Sequence, residues 1–559
     1  MLTRQTIFPE SELPSGAEIV SDGRGMARDW RVVPGAYLNQ RKQRSEADVK
    51  RRLAAEGHIG LHAQIGFRDL DRSRRAWVEI ATHTNVERYG ICLDWSMAAP
   101  RDRRARALRG TGLILNDVED YVTLTGGAPV APHFGDFVLG FPAAIENTQG
   151  ALSAGATAIG NLGQYFTFRL PGHDDDIEDT RATLTALALI AAQEVEVLVH
   201  SNLDDGFAAQ FRDLSSAIGA ALLERYIVTD LIGATVSHCW GHHFSDPVRR
   251  MAFHLALAEV SDAPGTMIYA NTTSYRGDEA ENYAALAAYL SIDIAGQRMK
   301  PTGHAINPAP VTENQRIPDI DEIIAAQRFA ARLIERTDIK MLDLSQPQAL
   351  ATRVAQGGRQ FADRVLRGLD SIGVDTQDPF QMLLALRRIG GRRLEAEFGV
   401  PVAPSPIEAE IDEIATARMA RLSAVERADF AAWSPRIVVA TTDVHEHGLR
   451  VVERLLSESG ADVIDGGISV DPEALAEIAV DADAIALSTY NGVALAFFEK
   501  LRAATNVPIL IGGRLNQIPE GSNTSLPTDV TTALATKGAI VCDGAEDAIR
   551  KLLSTRGDQ

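Results

Sequence analysis

Between residues 58 and 300, short apolar or β-branched runs alternate with longer Ala-, Leu- and Arg-rich stretches, and this alternation restricts the possible folds more than any other feature of the chain. The runs are 58–66 (HIGLHAQIG), 90–95 (GICLDW), 129–135 (PVAPHFG), 156–162 (ATAIGNL), 194–202 (EVEVLVHSN), 229–240 (TDLIGATVSHCW), 265–273 (GTMIYANTT) and 291–299 (SIDIAGQRM). Their starts lie 26 to 39 residues apart, room for one strand, one helix and two loops each time. Parallel strands need crossovers of this length, whereas antiparallel strands are joined by tight turns, so eight such units predict a (β/α)8 barrel. The second run competes with 101–124, which also carries apolar material (LILNDVEDYVTL).

A more compact alternation begins at 436: RIVVATT, a helix from about 447, ADVIDGG, a helix, ADAIALST, a helix, VPILIGG, and GAIVCDG with a closing helix. Five strands with intervening helices predict a doubly wound (flavodoxin-like) sheet, whose ligands sit at the carboxyl ends of the strands. Residues 319 to about 430 read as helices broken by VPVAPSP at 400–406. A chain of 559 residues exceeds what one hydrophobic core supports. The α/β organisation expected is therefore an arm or lead-in helix over 1–55, a catalytic barrel over 56–345, a helical extension or linker over 346–432, and the doubly wound domain over 433–559. The lead-in helix carries Arg41, Lys42, Arg44, Lys50, Arg51 and Arg52.

Charge narrows the partners. With 55 Lys and Arg against 75 Asp and Glu the net charge is −20, which repels phosphate backbones and anionic lipid, so no nucleic acid and no membrane are expected. The start MLTRQTIFPESELPSG has no apolar core after a basic flank, and no run of eighteen or more apolar residues follows, so neither a secretion signal nor a membrane span is expected. Cys92, Cys239 and Cys542 are too few and too scattered for a disulfide framework or a paired zinc pattern, which fits a reducing cytoplasm.

The chemistry-bearing constellation follows the first strand of the last domain, where Asp443-Val444-His445-Glu446-His447-Gly448 reads D-x-H-x-x-G. A histidine on a loop leaving a parallel strand points at the ligand crevice. An Asp two residues earlier can accept its second ring N–H, so that the other nitrogen presents a lone pair to a metal. Gly448 lets the turn approach a large planar ligand, and His447 is expected to face solvent. Later strands end in Ser488 (LSTYNG), Gly512-Gly513 (LIGGR) and Gly544 (VCDG), all on the same edge. The alternative for His445 is an ordinary hydrogen-bonded loop histidine.

This set resembles the fingerprint of the cobalamin-binding domain shared by B12-dependent mutases and methionine synthase: D-x-H-x-x-G, then S-x-L, then G-G. The resemblance implies that His445, oriented by Asp443, is the lower cobalt ligand in place of dimethylbenzimidazole. It also implies that Ser488 bonds the displaced base and that Gly512 and Gly513 line the channel for the nucleotide tail. Tyr490 stands where the family has Leu and is counted, with Gly544, among the cofactor-binding candidates.

The barrel's expected strand ends are polar: His62 and Gln64, Asp94, His133 and Asp136, Asn161 with Gln164 and Tyr165, His200 with Asn202, His238, Asn271 with Tyr275, and Lys300 with His304. A barrel joined to such a domain resembles the adenosylcobalamin-dependent carbon-skeleton mutases of the glutamate mutase type. The local likeness lies in GNLGQYFTFRLPG (160–172), CWGHHFSDPVRR (239–250) and IAGQRMKPTGHA (294–305). It implies adenosylcobalamin as cofactor, with Lys300 following the eighth strand on the adenosyl ribose and His304 where the family has a glutamate. Of the arginines that clamp the substrate carboxylates, one is replaced by His133, one is shifted to Arg68, and one corresponds to Arg101 or Arg103. Asn161, Tyr165 and Phe168 stand near the place of the family's amine-binding Glu and Tyr residues.

Replacing bidentate guanidinium groups with neutral or weakly basic donors implies a small acid other than glutamate, with fewer carboxylates. His133, Asn161, Gln164, Tyr165 and Asn271 are the candidate substrate contacts, and a homodimer is expected. The run His238 to His243 invites a zinc reading, but its spacing matches no closed zinc pattern, and a substrate-facing or structural role is expected. Two other functions remain open. A corrinoid methyltransferase would use methylcobalamin and need an activated acceptor site. A non-catalytic B12 sensor would leave the barrel without a role.

Overall fold

The computed structural model describes residues 2–107, 110–204, 206, 210–313, 315–442, 446–490, 492–519 and 527–557. Eight parallel strands follow one another in chain order: β1 (His62–Ile65), β2 (Arg88–Ile91), β3 (Ala131–Phe134), β4 (Ala158–Gly160), β5 (Leu198–Asn202), β6 (Thr235–Trp240), β7 (Met267–Ile268) and β8 (Ala305–Ile306). A parallel bridge between Leu61 and Ile306, with Ile306 N–H donating to Gly60 O at 2.9 Å, closes the sheet on itself. The barrel is the expected one, but two strands are displaced. The second lies at 88–91, and residues 291–299 belong to the helix Glu279–Met299. That helix begins in a capping box between Asp278 and Glu281, and Leu286, Leu290 and Ile294 form one buried face at four-residue spacing. The alternation of SIDI is thus the end of a helical stripe.

The amino-terminal segment is built into this unit. Helix Glu46–Ala55 sits at the amino-terminal end of the barrel, where the Lys50 ammonium donates to Thr266 O at 2.9 Å and lies 3.1 Å from Glu46. Glu46 in turn lies 2.8 Å from the Arg88 guanidinium on β2, and all three side chains are buried. Burial pulls the Lys50 ammonium down to about 8, with Glu46 opposing the shift. Removing the one carboxylate would strand two buried cations, which typically costs about 3–5 kcal/mol. Glu46→Ala is expected to lower the unfolding free energy measured by urea titration by that amount, and an unchanged free energy would show that the cluster is hydrated.

Helices after the barrel also pack on it. In the helix Ser345–Ser371, Gly357 and Gly358 allow close approach to Ser215 and Ile218, since a Cβ at either would lie 2.7 Å from those side chains. Arg387, from the helix Pro379–Ile389, donates to Tyr165 O (2.9 Å) and Asp179 (2.6 Å). The first compact unit therefore reaches Pro406, and the division falls at the Pro-rich break rather than at 432/433. Helix Pro406–Met419 belongs with the second unit, where Ile407 and Ile411 pack on Val451.

The second unit holds a five-stranded parallel sheet in the order β10 (Asp462–Ile468), β9 (Arg436–Thr441), β11 (Ala484–Thr489), β12 (Ile509–Gly513) and β15 (Ile540–Val541). A small antiparallel pair, β13 (Asn516–Gln517) and β14 (Thr528–Asp529), lies between the last two in sequence. This 2-1-3-4-5 order reverses direction beside β9, so its ligand crevice opens at the carboxyl ends of β9 and β11. Among the described residues no helix is long and apolar enough to cross a membrane.

Candidate functional site

In the barrel, side chains at alternate positions face the lumen. His62 and Gln64 on β1 lie over Gly90 of β2, where a Cβ would come within 2.8 Å of His62 Nε2. His133 on β3 donates from Nδ1 to Ala158 O at 3.1 Å, and its ring lies 4.3 Å from that of His200 on β5. His200 Nδ1 shares a hydrogen bond of 2.8 Å with Thr266 Oγ1. Burial first, and then the Arg88 charge, holds His62, His133 and His200 well below the usual imidazole range, so all three are neutral.

The carboxyl ends of the strands are tied into a rim. Asn161, just past β4, accepts the N–H of Gly163 (3.0 Å) and of Asn202 (2.7 Å) on Oδ1, while its Nδ2 is buried without a partner among the described residues. Gln164 accepts Phe137 N–H at 2.9 Å and donates to Asp136 at 3.1 Å. Asp204 accepts the N–H groups of Gly241 and His242. Asn271 accepts the Thr273 hydroxyl at 2.7 Å. Beneath the rim, Arg250 forms a bidentate pair with Asp293 (2.6 and 2.7 Å) and donates to Gly241 O (2.7 Å) and Tyr269 O (2.9 Å), which joins the loops after β6 and β7. Arg68, 5% exposed and held below its ordinary pKa by burial against the pull of Asp94, is a buried guanidinium in the loop after β1.

Three expected contacts are placed elsewhere. Tyr165 turns outward, its hydroxyl 2.7 Å from Thr180 Oγ1 of the helix Asp176–Ala191 and its ring under Arg387 at 4.8 Å. Lys300 and His304 precede β8 instead of following it, because the stretch read as a strand is helix. They therefore stand at the amino-terminal end of β8, opposite the rim. Lys300 is exposed. His304 is buried, donating from Nε2 to His238 O (3.0 Å) and accepting the Thr302 hydroxyl on Nδ1 (2.6 Å). Arg101 and Arg103 lie 3.9 and 2.7 Å from Glu146 and Glu178. His238 donates to the buried Glu224 at 3.0 Å, while His242 lies edge-on to Tyr269. Sequence reasoning missed Arg88, Asp204 and Arg250. For Arg88 the signal was present, since a second strand begun two residues earlier would have put it on the lumen face.

In the second unit, Asp443 and His445 lie outside the described residues. The flanking chain is in place: β9 ends at Thr441, Thr442 donates to Ser488 O at 3.0 Å, and helix Glu446–Glu458 starts on the far side. Gly448 is in the first turn of that helix, and a Cβ there would lie 2.6 Å from Ser488 Oγ. The space in front of the serine hydroxyl thus exists because residue 448 has no side chain. Ser488 pairs with Gly512 and Thr489 with Gly513, which takes φ +100 and could carry no side chain without meeting Thr489 O.

Residues 434–527 match the family described as the B12 binding domain. The matched residues run from the start of β9 to the start of β14 in the C-terminal unit. A stretch of 79 residues is 34% identical to the 2-hydroxyisobutanoyl-CoA mutase small subunit of Aquincola tertiaricarbonis. It covers 13% of this chain and 58% of that protein, so the chain spans less than two thirds of the relative it matches.

The remaining candidates divide. Tyr490 stays at the ligand edge, 39% exposed, with the Arg514 guanidinium 4.4 Å from its ring centre. At Gly544 the place of a Cβ is taken by the Arg418 guanidinium, which pairs with Glu546 at 2.7 Å. His447 faces solvent only in part: its side chain is 28% exposed and its Nε2 lies 3.7 Å from Glu410.

Proposed function

We infer that the protein is an adenosylcobalamin-dependent mutase that rearranges the carbon skeleton of a small acid other than glutamate. The observation that carries this is the pairing in one chain of a B12-binding domain with a closed (β/α)8 barrel whose carboxyl rim is polar and buried. The residues present fit the cofactor, since Gly448, Gly512 and Gly513 leave backbone-lined space beside the Ser488 hydroxyl. In this reading His445, with Asp443, would hold the cobalt, Ser488 would bond the nucleotide base, and Gly512 and Gly513 would admit the tail.

Bound adenosylcobalamin supplies a cobalt–carbon bond whose homolysis starts the rearrangement. The chain's own task is to bind, orient and exclude water. Asn161, Gln164 and Asn271 hold the loops around the rim, and the buried Asn161 amide offers a donor to a bound carbonyl or carboxylate. Arg68, buried in the loop after β1, is the guanidinium proposed for a substrate carboxylate. One strong cationic contact suits a monocarboxylic acid or acyl thioester better than a dicarboxylic amino acid. His133 and His200, neutral and buried, can accept or donate hydrogen bonds without adding charge. A homodimer and a cytoplasmic location belong to the same reading.

The test is turnover of a panel of small acids and their thioesters, followed by NMR, with adenosylcobalamin and separately with methylcobalamin. An isomerised product with the adenosyl form alone is the expected result. Methyl transfer from the methyl form would replace the reading with that of a corrinoid methyltransferase, and glutamate turnover as fast as any other acid would overturn the substrate assignment.

A further inference from the structure

We propose that the amino-terminal end of the barrel binds a small monovalent anion of halide size, in a cavity between Arg88 and Tyr37. The cavity measures about 20 Å³ and is lined by Tyr37, Glu46, Lys50, His58, Glu87 and Arg88, with the small Gly60 and Ala131 completing the wall. A void needs about 10–15 Å³ to hold one water, so this one takes a single water or an ion of similar size. Arg88 and Ala131 are the first residues of β2 and β3, which puts the cavity at the opposite end of the strands from the rim. The inference is independent of the cobalamin reading. His58, the most exposed of the six side chains, marks the entrance.

The surroundings of the cavity carry a surplus of positive charge. Glu46 lies between the Lys50 ammonium (3.1 Å) and the Arg88 guanidinium (2.8 Å), and Glu87 lies between His58 Nε2 (3.0 Å) and Arg41 (3.5 Å). Two carboxylates thus serve three cations and a histidine whose bond to Glu87 raises its pKa. Lys50 and Arg88 are buried, and a buried charge without a counter-charge is costly. The donors are divided in the same way. Lys50 spends its three N–H groups on Gly265 O (2.5 Å), Thr266 O (2.9 Å) and Glu46, so it contributes charge alone. Arg88 has Nε beside Glu46 and Nη1 at 3.5 Å from Thr266 O, while its Nη2 is buried with no hydrogen-bond partner among the described residues. The Tyr37 hydroxyl, on the helix Ala36–Arg41, makes no hydrogen bond among the described residues either. Burial, and then the Glu46 and Glu87 charges, push its phenol far up, so it remains a donor. One anion accepting from both groups satisfies them and offsets the surplus, tying the helices Ala36–Arg41 and Glu46–Ala55 to β2. A water satisfies the donors but leaves the charge.

Two measurements on the full-length chain test the site. Crystals equilibrated in bromide should give an anomalous-scattering peak between the Arg88 guanidinium and Tyr37 Oη. In solution, chloride should show excess NMR line broadening in the presence of the protein, and bromide should compete it away. Tyr37→Phe, which keeps the ring and removes one donor, should weaken the competed chloride binding by about 3- to 10-fold. Water density alone in the cavity of the bromide crystals would overturn the proposal. So would chloride binding of equal strength in Tyr37→Phe and the wild type, which would put the ion elsewhere. A crystal peak without competed broadening in solution would mean an adventitious ion only, and would overturn it as well.

Discussion

Gly448→Val should leave the protein folded and deprive it of its corrinoid. A Cβ at position 448 would lie 2.6 Å from Ser488 Oγ, and two further methyl groups would fill the space in front of that hydroxyl. Apo stability should change by no more than about 1 kcal/mol, because glycine is itself a poor helix former and the atom met is the end of a small rotatable side chain. Corrinoid affinity should fall by at least about 100-fold, about 2.7 kcal/mol, since a nucleotide base held at Ser488, as proposed, would have no place to enter. Ser488→Ala, which removes one hydrogen bond and fills nothing, should cost only about 3- to 10-fold. The comparison is made by spectral titration alongside thermal unfolding of the apo forms. Wild-type affinity in the valine variant would mean that the base does not enter between Gly448 and Ser488.

The second large effect is acid lability of the barrel unit. His62, His133, His200 and His304 are buried with their imidazoles held well below the ordinary range, in each case by desolvation before any charge. The neighbouring charges act the same way: Arg88 on the first three, His254 on His304, and Lys50 on His62, His200 and His304. In the unfolded chain these side chains titrate near pH 6.5. Their folded pKa values are depressed, so below that pH the unfolded state binds more protons and stability falls as pH falls. Each residue contributes about 1.4 kcal/mol at one unit below its unfolded pKa, so the four together remove about 6 kcal/mol by pH 5.5. Against a typical total of about 5–15 kcal/mol that is a large fraction. His58 works in the opposite direction, since its bond to Glu87 raises its pKa, but it is half-exposed and single. Urea unfolding at pH 7.5, 6.5 and 5.5 should show this fall, and His133→Gln should flatten the slope by about one proton. Constant stability down to pH 5.5 would mean that the imidazoles are hydrated in the folded protein.

The repeating unit of the barrel was legible because strand and helix periodicities are local properties, written in residues a few positions apart. The same holds for the doubly wound domain and its edge glycines: Gly448 lies in the first turn of the helix after β9, and Ser488 and Gly512-Gly513 at the carboxyl ends of β11 and β12. The reading failed where a local pattern was ambiguous. Residues 291–299 alternate over four positions like a strand, yet Leu286, Leu290 and Ile294 extend a helical face that began earlier. That single shift moved Lys300 and His304 to the opposite end of β8. Tyr165 was misread for a different reason, since nothing within ten residues of it indicates that Thr180 and Arg387 occupy its far side.

By itself the sequence determined the two α/β units, the strand count of each sheet and the cobalamin motif, because each is carried by short-range spacing. Only the tertiary structure decided which charges meet. It brought Arg88 to the Glu46–Lys50 pair at the amino-terminal end of the barrel, Arg250 to Asp293 beneath the rim, and Arg387 across from the later helices to Asp179. A buried charge requires a partner wherever the chain can supply one, and that partner is selected by packing, not by distance along the sequence.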